Sequence, residues 1–546
     1  MMASSDVMPS AKSPAKITVV GLAMLNIVAV LSLDGPPTEA EYGLSAAFFY
    51  FFAAAFFLIP VSLVAAELTT GWPEKGGVFR WAGEAFGARW GFLAIFLLIA
   101  QVTIWFPLVL TFAAISLAYT GPQATVDAKL SGNQLYVLLS VLAVYWLATA
   151  IAARGVAAFT RIAKWGGIVG TIIPAAALVT LGVAYLISGG TPQIQLDWGA
   201  AIPDLSSLSN LALAASIFLF YSGMEMNAVH VQDVKNPDRG YPVAILIAAV
   251  GTASILILGT LTIAFVVPRS ETGSTQSLLI TFINAFHWLD LSWATPILAL
   301  ALALGVLAGI VTWVAGPSTA LQAVAKAGYL PPFYQATNKN GMPIRIMLVQ
   351  AAAVSSVAVV FVFMPSVEAA FQILSQLAGL LYLVVYLIMF ASAIYLRYRQ
   401  PDRPRPYRVP GGLVGMWIIG GSGSVASALA LASSLVPPSQ IGIGSPTLYL
   451  GLLIGLAVPD HHNPTAAVRP SKAALARPSQ RSRTVCRCAP RRPPRRNSHA
   501  EASPHRHRSR SRHRRRSKSS RRRRRRVTMS RSRFTSPSTA PAKCVT

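Results

Sequence analysis

From Ile17 onward the chain falls into long apolar blocks, separated by short stretches where Lys, Arg, Pro and Gly collect. A hydrocarbon core about 30 Å thick takes about 20 apolar residues per helical crossing. The blocks predict helical spans near 17–40, 44–69, 91–119, 134–153, 163–187, 207–232, 242–267, 292–325, 344–364, 369–396 and 412–436. A further block, 447–458, offers only about 12 apolar residues, or about 18 Å of helix, and falls short of that thickness. The pattern is that of an all-α polytopic membrane protein with 11–12 transmembrane helices.

Placing residues 1–16 in the cytoplasm puts eighteen Lys and Arg, among them Lys12, Arg154, Lys235 and Arg403, on inner segments. Only Lys129 and Arg269 then fall outside. This is the positive-inside bias, and one miscounted early span would scramble it. The apolar run after Lys16 reaches Leu33 without a small-residue cleavage site, so the first helix reads as retained rather than as a signal peptide.

Composition agrees with a bilayer: 53% of residues are hydrophobic and 12% charged, against about 25% charged in soluble domains. The net charge of +28 is local, because 27 of the 47 Lys and Arg follow Val458. Cys486, Cys488 and Cys544 lie there too, which leaves the apolar part without thiol chemistry. The organisation expected is a short N-terminal segment (1–16), a membrane domain (17–458) and a disordered Arg-rich tail (459–546). The abrupt change after Val458 reads as a frame shift in a GC-rich gene that replaces part of the last helix. The alternative is a basic tail for anionic lipid or nucleic acid; no function is assigned to it.

Two spans are interrupted. In AVLSLDGPPTEAEYG, Pro36 and Pro37 lack amide donors and push the preceding residues out of helical geometry. In LFYSGMEMNAVH, Ser222, Gly223, Glu225, Asn227 and His230 stop an apolar run. Non-helical backbone at membrane depth survives only where it lines a cavity or is buried in protein. Breaks in spans one and six point to two inverted halves of five helices, with a substrate held by the freed backbone groups. The bland alternative makes Gly223 an ordinary C-cap and starts a loop at Glu225.

The stretch AAELTTGWPEKGGVFRWAGEAFGARWGF (65–92) resembles the signature after the second helix of the amino acid–polyamine–organocation (APC) permeases, and most of all the glutamate:GABA antiporter family. AVLSLDGPPTEAEYGLS, GMEMNAVHVQDVKNPDRGYP, GVLAGIVTWVAGPSTAL, NKNGMPIR, YLVVY and PDRPRPYRVPGG extend the resemblance over 17–458. It implies a LeuT-type fold of 5+5 inverted repeats, alternating access, and exchange or uptake of amino acids. It implies a substrate site at Val30, Leu31 and Ser32 of helix one, Tyr221, Ser222, Gly223 and Glu225 of helix six, Trp313 of helix eight, and Tyr382 and Tyr386 of helix ten. Two positions depart from the family: Asp34-Gly35 replaces Arg-Asn, and Gly309 stands where an acid is expected one turn before Trp313. Both argue against glutamate/GABA specificity while leaving the permease reading intact. Asp34 is expected either to cap the second half of helix one or to pair with a substrate ammonium.

Glu225 is the candidate proton carrier or ammonium partner, since a carboxylate inside a membrane is costly; its alternative is a structural acid. Glu67 reads as a gate or scaffold contact at the inner face. Tyr382 and Tyr386 share a helix face at i, i+4, a spacing that also suits plain packing. His230 at a helix end and His287 in a loop have no partner ligand at metal spacing, so no metal or cofactor is assigned. Gly421–Gly423 and 316–320 offer small residues for close helix packing. With no phosphate loop and no nucleophile elbow, neither a pump driven by ATP nor a hydrolase is supported. A facilitator built from two six-helix halves would need a longer centre than 232–241. The expected partners are amino acids, protons and membrane lipid rather than nucleic acid, and the alternative function is a membrane amino-acid sensor or channel.

Overall fold

The computed structural model describes residues 18–73, 76–121, 124–194, 197–203, 211–212, 214–226, 234, 236–268 and 275–436. Asn227, His230, the block 447–458 and the Arg-rich tail lie outside them. Among the described residues nine helices are long and apolar enough to cross a membrane. The first and sixth spans are interrupted, as the polar insertions require.

Span 1 opens with helix Val19–Val30, capped by the Thr18 hydroxyl, which accepts the Gly21 N–H at 3.1 Å. Five residues of non-helical chain follow, and the helix resumes at Pro36–Glu39 with proline in its first turn. There the missing amide costs nothing. A kink at Gly43 (φ 58°) turns the chain into span 2, residues 46–71. Span 3 is Ala88–Ala118, span 4 Gln134–Ala152 and span 5 Thr160–Ile187. Span 6 is described as Ala215–Phe220, a break at 221–223 and one 3-10 turn over 224–226. Spans 7 to 11 are Pro237–Val266, Thr295–Lys326, Ile344–Phe363, Val367–Arg399 and Gly412–Ser434.

The order repeats. A broken span, a whole span, a short amphipathic helix, a long span and two more spans occur twice. The short helix is Val78–Phe86 in the first half and Ser277–Trp288 in the second. This is the LeuT-type 5+5 arrangement. Neither short helix was picked out as a span, because at 9 and 12 residues each falls well short of the about 20 of a crossing. His287 lies in the last turn of Ser277–Trp288 and not in a loop.

Lipid offers no hydrophobic drive between helices, so close approach rests on small residues. A Cβ on Gly170 of span 5 would come within 2.3 Å of the Gly305 backbone of span 8, and one on Gly423 within 2.3 Å of the Phe390 ring. Gly316 has nothing within 4 Å of its missing side chain, while Pro317 and Ser318 beside it are buried and the Ser318 hydroxyl donates to Gln350 Oε1 of span 9 at 3.3 Å. Trp90, Trp165 and Trp417 are exposed near one set of span ends, and Trp288 and Trp293 near the other, as interfacial indoles are.

Candidate functional site

The two breaks meet. A Cβ on Gly35 would strike the Phe220 ring at 2.5 Å; a Cβ on Gly223 would lie 3.3 Å from Trp313 and 3.6 Å from Val30. Helix Val19–Val30 ends with unsatisfied carbonyls, as every helix does. The Leu31 N–H bonds back to Ile27 at 2.7 Å, and the Trp313 indole N–H donates to the Ala29 carbonyl at 3.3 Å. One aromatic of span 8 thereby fixes the end of the first half-helix.

In span 6 the freed groups are held by side chains. The Ser222 hydroxyl donates to the Phe218 carbonyl at 2.6 Å. Gly223, at φ 108°, a conformation only glycine adopts without strain, gives its N–H to the Tyr386 hydroxyl at 2.8 Å. Glu225 follows in the 3-10 turn, 3% exposed. Tyr382 donates to its Oε1 at 2.5 Å and Tyr386 to its Oε2 at 2.8 Å. The two rings stack at 4.7 Å, as their i, i+4 spacing allows, and Phe57 packs edge-on against Tyr386 at 5.0 Å. Tyr221 is fully buried, its hydroxyl 3.5 Å from the Tyr50 carbonyl and its ring 5.7 Å from the Tyr50 ring.

A small, partly open cavity of about 40 Å³ lies beside the first break. Leu31 and Ser32 of the break and Trp313 of span 8 border it, with Trp105 and Phe112 of span 3 and Thr171 of span 5. The site residues named from sequence thus separate. Leu31, Ser32 and Trp313 face the cavity, and Val30 lies against Gly223. Gly223, Glu225, Tyr382 and Tyr386 form one hydrogen-bonded group, while Ser222 and Tyr221 bond elsewhere, to the Phe218 and Tyr50 carbonyls; none of the six is part of the lining. The amide expected to be free for a substrate is held by Tyr386.

Asp34 does not cap the second half-helix. Gly35 holds the N-cap position without a side-chain bond, and Asp34 Oδ1 instead accepts the Ser32 hydroxyl. Asp34 Oδ2 is buried without a hydrogen-bond partner. A second buried acid was not foreseen: Glu39, 0% exposed, accepts the Ser216 hydroxyl on Oε1 and has no partner on Oε2. The signal was present, since Glu39 is an acid just past Pro-Pro in an apolar run, but it resembles a span end. Trp105 and Phe112 carried no signal beyond being apolar.

Glu67 sits apart from the breaks. Its carboxylate takes two Arg397 N–H groups at 2.6 Å each and the Val409 N–H at 2.7 Å, with Arg405 Nε 3.5 Å away. It ties the end of span 2 to the last turn of span 10 and to the chain between spans 10 and 11. Among the described residues no group of three His, Cys, Asp or Glu is placed to hold a metal ion.

Two interrupted helices whose broken segments touch beside a partly open cavity, in a chain of membrane-length apolar helices, define a membrane transporter of the broken-helix class. The profile of the amino acid permease family matches residues 17–458. The chain belongs to the amino acid permease family of the APC superfamily, and it transports amino acids. It is 36% identical over 441 residues to an uncharacterized transporter of Legionella pneumophila, covering 80% of this chain and 93% of that protein. It is 32% identical over 445 residues to a glutamate/gamma-aminobutyrate antiporter of Lactococcus lactis (80% and 87%). A probable agmatine/putrescine antiporter of that species is 24% identical over 396 residues (71% and 81%).

Proposed function

We propose that the protein exchanges amino acids across the cytoplasmic membrane by alternating access, with its N-terminus in the cytoplasm. The observation that carries this is the meeting of the two breaks at Gly35–Phe220 and Val30–Gly223–Trp313 beside the cavity. Exchange is supported by two relatives, one named as an antiporter and the other as a probable antiporter. Orientation is supported by the eighteen-to-two asymmetry of basic residues between alternate loops.

The site supplies a gate as well as a pocket. An ionised Glu225 draws both tyrosine hydroxyls, and Tyr386 in turn holds the Gly223 amide. A proton on Glu225 removes acceptor capacity. Tyr386 is then released, and the Gly223 N–H becomes available to a substrate carboxylate. In this reading Glu225 couples protonation to opening, and Leu31 and Ser32 offer backbone to the amino acid from the opposite side.

The test is counterflow in proteoliposomes loaded with an unlabelled amino acid mixture, using radiolabelled amino acids outside. Transient accumulation of label above protein-free vesicles supports exchange. Saturable binding without accumulation would point to a sensor instead.

A further inference from the structure

The cavity bordering the first break has no charged side chain among its described lining residues. Its polar side-chain groups are the Ser32 and Thr171 hydroxyls and two indoles, and the Trp313 indole N–H is committed to Ala29. Glu225 has both oxygens engaged by tyrosines and lies outside the lining. The wall from span 8 is one helical stripe: Leu302, Gly305, Val306, Gly309, Ile310 and Trp313, at the spacing that puts residues on a single face.

The glycines in that stripe have different jobs. A Cβ on Gly305 would lie 2.4 Å from the Gly170 carbonyl, so Gly305 serves the contact between spans 5 and 8. Gly309 meets nothing within 4 Å, and its missing side chain is cavity space. A charged side chain placed there would lose its water with no counter-charge to replace it. An apolar one is favoured by about 25 cal/mol for each Å² removed from water.

We propose that the cargo is an α-amino acid with a neutral, apolar side chain lodged against Gly309, and that Gly309 sets the size accepted. This rests on the transport reading for its site and departs from the substrates in its relatives' names. Asp34, next along the chain from the cavity, matches the single α-ammonium of such a cargo. It leaves nothing for the second ammonium of a diamine.

The experiment uses purified full-length protein with leucine, glutamate and putrescine as probes, in two arms: ligand-induced shift of melting temperature, and counterflow after reconstitution. The expected result is half-saturation for leucine about tenfold or more below that for glutamate and putrescine. Glutamate or putrescine matching leucine overturns the proposal, and if either is exchanged the transport reading still stands. A leucine-induced shift without counterflow upholds the proposal and removes the transport reading. In a Gly309→Val protein with the wild-type unliganded melting temperature, leucine should weaken about tenfold while alanine keeps its response. Unchanged leucine half-saturation in that variant overturns the role of Gly309.

Discussion

At the residue scale the site depends on polar groups that have one acceptable partner each. Tyr386 stands between the Gly223 N–H and Glu225 Oε2. Tyr386→Phe therefore strands a buried donor and a carboxylate oxygen, whereas Tyr382→Phe strands only the other oxygen. Each stranded group costs about 1–3 kcal/mol, so Tyr386→Phe should lower the melting temperature more than Tyr382→Phe and slow exchange. Equal effects would show that the bridge to Gly223 carries no weight. Glu225→Gln keeps the shape and removes the titrating group, so exchange should lose its dependence on pH while the protein stays folded. That is read from initial rates across a pH series for both proteins, and a mutant profile that follows the wild type would take Glu225 out of the coupling. Ser216→Ala should destabilise by about 1–3 kcal/mol, because it leaves Glu39 with neither oxygen bonded; thermal unfolding in detergent measures it.

At the scale of elements, the breaks in spans 1 and 6 hold each other open. Gly35 lets the first break lie against Phe220, and Gly223 takes a positive φ between Trp313 and Val30. Gly35→Leu overpacks a contact that has no room even for a Cβ, a class of change that costs about 1–3 kcal/mol. It should separate the half-helices and abolish counterflow before it abolishes folding, as gel filtration and exchange measured on one preparation would report. Gly223→Ala adds backbone strain of about 1–3 kcal/mol at the turn that presents Glu225. The short helices Val78–Phe86 and Ser277–Trp288 hold equivalent places in the two halves, as inverted repeats require.

At the scale of the whole molecule, Glu67 fastens distant parts of the chain. Its partners come from residues 397–409, more than 300 positions away. Arg405 and Arg403 lie over the Trp72 ring at 5.2 and 4.9 Å, which adds cation–π attraction at the same corner. Removing one member of a buried, hydrogen-bonded ion pair costs about 3–5 kcal/mol where the charge is left uncompensated; Arg405 Nε, 3.5 Å from Glu67, offsets part of that here. Arg397→Ala should therefore reduce yield and melting temperature sharply, while substrate half-saturation in the protein that does fold stays near wild type. A large change in half-saturation with unchanged stability would make Glu67 a gate rather than a scaffold.

The number and order of the spans, the presence of two breaks and the bunching of basic residues were legible in the chain, because a bilayer imposes its length and polarity on every crossing separately. Glu225 stood out for the same reason, since a carboxylate in hydrocarbon needs an explanation; Trp313 and the tyrosine pair stood out only through the resemblance to the family's motifs, their spacing by itself suiting plain packing. Which of them face one another was decided only by tertiary structure. That Tyr386 takes the Gly223 amide, that Glu39 joins Ser216, that Glu67 meets Arg397, and that Gly305 packs while Gly309 leaves space are all properties of helices from different parts of the chain lying side by side. Periodicity fixes the face on which a residue sits; the residue opposite that face comes from another helix, and no local pattern encodes it.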